Sequence, residues 1–250
     1  MMHSLGAVAV AVMVLVAGLG VGARDGWAGT IDPGATASGG GLGSATATIV
    51  TTSANNDNTT SASVNTITVE KTFGSLDPIY LLFTVQNSTS GTEYFVTETI
   101  TNSTGVEWLD YHVALGYLTG DVFSQSGLED QLDFDTPGRD PAPTSTAFAN
   151  LSHGANLLEW DGGTVPDGGS VTFTFSLDVP NSAECAQVSE GPQCPVLLDA
   201  SGAIVGYAFA LRQIPTAEPP NGRVPEPASL ILLASGLAAL GAAGWRRRPS

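Results

Sequence analysis

The densest cluster of ionisable side chains is Glu129-Asp130-Gln131-Leu132-Asp133-Phe134-Asp135-Thr136-Pro137-Gly138-Arg139-Asp140. Carboxylates spaced around a glycine suit a hard cation, because calcium collects several carboxylate and carbonyl oxygens from a flexible loop. Asp133, Asp135 and Asp140 are the candidate calcium ligands. The run departs from the EF-hand pattern, with Pro137 at the fifth loop position and Thr144 where a bidentate glutamate belongs. Its plainer reading is a solvated acidic loop in which Arg139 pairs locally. A second cluster is Asp110-Tyr111-His112. On a strand positions 110 and 112 share a face, so Asp110 can orient His112 as a general base, with Trp108 expected on the same face. A nucleophile would have to come from elsewhere, and no strained G-x-S-x-G elbow supplies one. A polar pair on a surface strand accounts for the same residues.

His153 is the only other histidine beyond the N-terminal segment, which rules out a three-histidine metal site within one subunit. Paired carboxylates for glycoside hydrolysis are a third candidate. With 24 acidic residues, some pair falls at catalytic separation by chance, so only a buried acid would carry meaning. Tyr94, Trp108, Tyr117 and Trp160 offer rings for stacking on sugars, and core packing is the competing use. No glycine-rich phosphate cradle precedes a helix. The expectation is a protein that is not an enzyme and needs no cofactor, calcium aside.

The chain has a formal net charge of −16, and between residues 29 and 223 its basic side chains are Lys71, Arg139, Arg212 and Arg223. Such a surface finds no cations for phosphate, which excludes nucleic acid as a partner. Cys185 and Cys194 stand close together in a Gly/Pro-containing segment. In an exported chain they are expected to form a disulfide, for which the chain-entropy relation gives about 2.7 kcal/mol. A metal half-site would need a C-x-x-C spacing and more ligands.

Both ends are apolar. Residues 5–21 carry no charge and are followed by small side chains, the layout of a secretory signal peptide over residues 1–28 that delivers the chain to the Sec translocon. Cleavage is expected after Ala28 or after Ala23. At the other end Val224-Pro225-Glu226-Pro227 precedes an uncharged stretch, residues 228–245, and then Arg246, Arg247 and Arg248. The prolines keep the preceding chain extended and accessible. Eighteen residues as helix span about 27 Å, close to the hydrocarbon thickness. The arginine cluster holds the extreme C-terminus in the cytoplasm. Residues 228–245 are therefore expected to be a transmembrane helix in the inner membrane.

The run VPEPASLILLASGLAALGAAGWRRRPS resembles the PEP-CTERM sorting signal in all three of its parts. The resemblance implies a Gram-negative host that secretes exopolysaccharide, and recognition by an exosortase that removes the tail after export. TEYFVTETITNSTGVEWLDYH and GLEDQLDFDTPGRDP are similar to extracytoplasmic domains of the choice-of-anchor type, a likeness that brings no activity with it.

The elements between the two ends read as β. Residues 29–63 are rich in Gly, Ser and Thr and are expected to be a flexible lead-in, with 46–52 a candidate edge strand. From residue 64 to 215 the pattern fits a single antiparallel β-sandwich of seven to nine strands. Ile79, Leu81, Phe83 and Val85 alternate with Tyr80, Leu82, Thr84 and Gln86, and turns at 87–91 and 102–105 lead to strands at 92–101 and 107–115. Short loops suggest that these three form a meander. Val171, Phe173, Phe175, Leu177 and Val179 alternate with Thr172, Thr174, Ser176 and Asp178. Strands are also expected at 156–160 and 204–213, and a linker at 216–223 leads into the sorting signal at 224–250. The function so read is an exported cell-surface or exopolysaccharide-matrix (biofilm) protein with a structural or interaction role. The alternatives are a carbohydrate- or calcium-dependent adhesion module and, more distantly, a secreted hydrolase.

Overall fold

The computed structural model describes residues 29–52, 62–87, 92–127, 130–134, 141–182 and 194–217. The signal segment, the acidic residues from 135 to 140, Cys185, the PEP motif and the C-terminal apolar stretch lie outside the described residues. Among the described residues, no helix is long and apolar enough to cross a membrane.

Among the described residues, thirteen strands form two facing sheets. They are β1 (Gly29–Ser38), β2 (Leu42–Val50), β3 (Thr66–Phe73), β4 (Ile79–Asn87), β5 (Thr92–Asn102), β6 (Asp110–Thr119) and β7 (Val122–Gln125). The remainder are β8 (Thr144–Ser145), β9 (Asn150–His153), β10 (Leu157–Asp161), β11 (Ser170–Val179), β12 (Val196–Leu198) and β13 (Ile204–Thr216). One sheet runs β1-β4-β13-β6-β10-β9, with β12 beside β13 and β7 beside β6; the other runs β2-β3-β5-β11-β8. The long strands form where the sequence alternates. On β11 Val171, Phe173, Phe175, Leu177 and Val179 are buried, while Thr172, Thr174 and Asp178 stand outward.

Three expectations are corrected. The stretch from Gly29 to Val50 is not a flexible lead-in but two strands, one in each sheet, the second of which contains most of the edge strand expected at 46–52. β1 pairs with β4 and β2 with β3, and the chain crosses between the sheets through Gly39, Gly40 and Gly41. Gly39 has φ +116°, and a side chain there would meet the Pro78 carbonyl oxygen. Small side chains suffice on these strands because Ala35, Ala37, Ala45, Ala47 and Ile49 pack against a core already filled by larger residues. Pro33 and Gly34 sit where the β1 register shifts, which an edge strand tolerates. Tyr94 Oη on β5 accepts the Ile31 amide at 2.9 Å and lies 2.8 Å from Thr51 Oγ1, tying β1 to the facing sheet and the residue after β2 to a strand of its own sheet.

The expected meander is also replaced. β4 and β6 lie in one sheet and β5 in the other, because alternation marks a buried face without saying which strand lies beside it. The sandwich is not wholly antiparallel either: β3 and β5 pair in parallel from Thr66↔Phe95 to Phe73↔Asn102. The intervening β4 in the facing sheet supplies the crossover that a parallel pair requires.

Asn102 closes the β5–β6 corner. Its Nδ2 donates to the carbonyls of Val106 at 2.8 Å and Val165 at 2.9 Å, and its Oδ1 accepts the Thr104 amide at 3.0 Å. The residue is fully buried, so its N-x-Thr sequence reflects the turn and not an accessible acceptor. Asn102→Ala leaves the Thr104 amide without its acceptor and takes one donor from each carbonyl, although Val106 keeps the Thr104 hydroxyl and Val165 the Trp108 amide; the unpaired group costs about 1–3 kcal/mol. We expect a loss in that range in urea denaturation, against about 0.5 kcal/mol or less for exposed Asn150→Ala.

Candidate functional site

The His112 cluster sits on the outer face of the larger sheet. β6 turns Tyr111, Val113, Leu115 and Tyr117 into the core, which leaves Asp110 and His112 half-exposed on the far side. His112 Nε2 lies 3.1 Å from Asp110 Oδ1, the expected partner. The register of β6 with β10 places Glu159 opposite His112, and Nδ1 lies 3.0 Å from Glu159 Oε1, a contact that sequence did not suggest. Asp110 Oδ1 also accepts from the Thr216 amide at 3.1 Å and from the Thr216 hydroxyl. Both ring nitrogens face carboxylates, and the nearby hydroxyl is directed at Asp110. This is a hydrogen-bonded imidazole that, with Asp110, ties β6, β10 and β13 together, and among the described residues its ring nitrogens meet carboxylates and not a nucleophile. Trp108 is not on this face. It precedes the strand, pairs with Val165 in an isolated bridge, and is buried against Phe73 and Tyr111.

The acidic run is partly a core segment. Leu132 and Phe134 are buried, and Phe134 meets Phe175 edge-on at 5.4 Å. Asp130 is buried as well, its carboxylate accepting the amides of Gly127 and Leu132, each at 3.1 Å. Burial raises its pKa, opposed by the hydrogen bonds from Leu132, Tyr117 and Gly127. Gln131, at φ 58°, makes the turn. Asp133 takes a backbone bridge to Asp178, whose amide donates to the Asp133 carbonyl at 2.9 Å. Asp135 and Asp140 lie outside the described residues, and among the described ones no three acidic, histidine or cysteine side chains converge on a metal position.

The four rings considered for sugar stacking, Tyr94, Trp108, Tyr117 and Trp160, are all buried to within 1% of full enclosure. They therefore offer no platform. Of the two cysteines, Cys194 is buried against the core, whereas Cys185 lies outside the described residues.

The site that sequence reading missed lies between the sheets. Lys71, the single lysine in the chain, projects inward from β3 beside Val69 and Phe73. Its Nζ lies 3.1 Å from Glu98 Oε2 on β5, and both side chains are fully enclosed. Nζ also donates to Gln213 Oε1, which reaches across from β13 in the facing sheet. Gln213 Nε2 donates back to both Glu98 oxygens, at 2.7 and 2.8 Å. The Tyr111 ring lies 5.9 Å from Nζ. Desolvation by burial brings the Lys71 pKa down to about 8, against the opposing pull of Glu98. The signal was strand parity: Val69, Lys71 and Phe73 share one phase, as do Val96, Glu98 and Ile100, and Phe209, Leu211 and Gln213. Each polar residue occupies a core position of its strand.

Neither a curated protein nor a solved structure matches the chain. One protein-family comparison does match, over residues 223–248, where Pro225-Glu226-Pro227, the apolar stretch and Arg246, Arg247 and Arg248 stand. The match begins shortly after β13 ends at Thr216, so it does not overlap the strands of the described residues. The motif implies recognition by an exosortase and an exported precursor that its membrane-anchored tail holds until processing. The chain is a β-sandwich protein carrying a PEP-CTERM protein-sorting motif.

Proposed function

We propose that this protein is delivered by the Sec translocon, sorted by an exosortase, and serves a structural or interaction role at the cell surface or within the exopolysaccharide of a Gram-negative bacterium. The sorting motif carries the reading. It presupposes passage across the inner membrane, and the acidic sandwich ahead of it is composed for solution outside the cell. The outer face of the smaller sheet supports contact with hydrated polymer. Thr99 and Thr172 (3.2 Å), Thr101 and Ser170 (3.1 Å), and Thr144 and Thr174 (2.6 Å) form cross-strand hydroxyl pairs there. These neutral donors and acceptors suit hydrogen bonding to sugar hydroxyls without charge repulsion. The role is structural and not catalytic in this reading, since the outward polar cluster at His112 is occupied in pairing. Export also places Cys185 and Cys194 in an oxidising compartment, where we take them to be joined.

Replacing Pro225, Glu226 and Pro227 together by alanine tests the sorting. The wild-type product is expected to leave the inner-membrane fraction without its C-terminal 25 or so residues, and the triple variant to stay there at the tail-bearing mass. Identical C-terminal masses for both proteins would refute exosortase processing of this tail.

A further inference from the structure

We infer that Lys71 and Gln213 become joined by an intramolecular isopeptide bond, formed by the protein itself with Glu98 as the proton-transferring group, that staples the two sheets together. The inference is independent of the sorting route. It begins with an oddity of composition. Lysine is normally a solvated surface residue, and this chain has one, fully enclosed between the sheets. The group beside its amine is a carboxamide, an acyl donor whose carbon carries the very oxygen that Nζ contacts. The third member is a carboxyl group touching both reactants, 3.1 Å from the amine and 2.7 Å from the amide nitrogen that would leave. Amine, acyl carbon and acid–base group are thus held in contact by three different strands, an arrangement that replaces the entropy cost of bringing them together.

The step balances without any co-reactant. Lys71 Nζ passes a proton to Glu98 and, as the free amine, attacks Gln213 Cδ. The Nζ–Cδ bond forms and the Cδ–Nε2 bond breaks. Of the three hydrogens on the original ammonium, one stays on the new amide nitrogen, one is relayed by Glu98 to the departing Nε2, and one remains on Glu98. Ammonia leaves, and nothing is oxidised or reduced. The product core holds no charge: an ammonium and a carboxylate have become an amide and a carboxylic acid. A buried ion pair gives up much of its attraction to desolvation, so its removal from the core favours the reaction. The free amine is accessible because burial already brings the Lys71 pKa to about 8. Tyr111, the other titratable group facing Nζ, is pushed well above its ordinary value by burial and stays neutral. The bond would link β3 to β13, residues 142 apart in sequence and in opposite sheets.

Mass spectrometry of the mature protein purified from its host tests this. The intact mass should fall one ammonia short of the processed sequence. Digestion should yield a branched peptide containing Lys71 and Gln213, with no tryptic cut after Lys71. Because the chain has one lysine, an amine-reactive label added after unfolding should mark the N-terminus alone. Full mass, with Lys71 labelled once the natively folded wild-type protein is unfolded, overturns the proposal, whatever the variants do. Glu98→Gln should slow bond formation by on the order of 10²–10⁴-fold, the usual contribution of a general acid–base group. Cross-linking of that variant at the wild-type rate would remove Glu98 from the chemistry. Lys71→Met and Gln213→Leu should both give the uncrosslinked mass and slower-migrating chains on denaturing gels.

Discussion

Glu98→Ala is expected to destabilise the sandwich by about 3–5 kcal/mol, the cost of leaving a buried cation without its partner. Lys71 and Glu98 are both fully enclosed, and the hydrogen-bonding groups around Nζ come from Glu98 and Gln213. Deleting the carboxylate also orphans Gln213 Nε2, whose contacts run to the two Glu98 oxygens. Removing both charges at once should be far milder. Lys71→Met with Glu98→Leu fills the same space with apolar atoms, and such replacements are neutral or stabilising by up to about 4 kcal/mol. The informative comparison is therefore between the single and the double variant in urea or guanidinium, both taken as uncrosslinked material by mass, since the double variant lacks the amine and Glu98→Ala lacks the proton-transferring group. A double variant no more stable than Glu98→Ala would show that the charge pair is not what the carboxylate serves.

The same variant makes a pH prediction. In the folded protein Lys71 releases its proton near 8, whereas in the unfolded chain it does so near 10.5. Between these values the unfolded state binds more protons, so an uncrosslinked Lys71 makes stability rise with pH across that window. Without Glu98 the attraction that raises the folded value is lost, and the window widens downward. Stability of Glu98→Ala should accordingly climb between neutral pH and about 9.5, below the range where the buried tyrosines ionise. Lys71→Met with Glu98→Leu should lack this slope.

How much of this could be read beforehand depends on amplitude. β11 was legible because its buried phase is Val, Phe, Phe, Leu and Val against Thr, Ser and Asp. β13 was legible for a similar reason. β1 was not, and β2 only as the candidate edge strand at 46–52, because their inward phase is largely alanine and their outward phase threonine and serine, a contrast that barely stands above loop composition. Sheet membership was illegible for a different reason: strand alternation requires a facing layer but names no neighbour, so β4, β5 and β6 looked consecutive while alternating between sheets. Trp108 failed through phase. The chain bends at Leu109 before β6 begins, which separates the tryptophan from the parity of Asp110 and His112. The buried polar site was hidden by residue type. Lys, Glu and Gln are surface residues by type, although their positions within β3, β5 and β13 place them inside. The sorting tail was the most legible part because three unlike features follow in a fixed order.

Phe173→Ala is the second substitution expected to be severe, at about 3–5 kcal/mol, because its ring is where the two sheets interlock. From β11 it stacks on Tyr111 of β6 at 4.6 Å, meets Trp160 of β10 at 4.7 Å and lies parallel to Phe148 at 6.1 Å. All four rings are buried, so truncation removes transfer energy and leaves a void that three large neighbours cannot close without moving backbone. Trp108 extends the cluster through Tyr111, whose ring also lies over Lys71, so collapse at Phe173 should loosen the Lys71–Glu98–Gln213 geometry. Phe173→Leu, which keeps most of the volume, should cost markedly less, and exposed Val122→Ala about 0.5 kcal/mol or less. Denaturation midpoints give the stabilities, and near-ultraviolet circular dichroism should lose aromatic signal in Phe173→Ala alone. An alanine variant as stable as the leucine one would mean that the rings do not hold the sheets together, and that the charge-bearing site between them must.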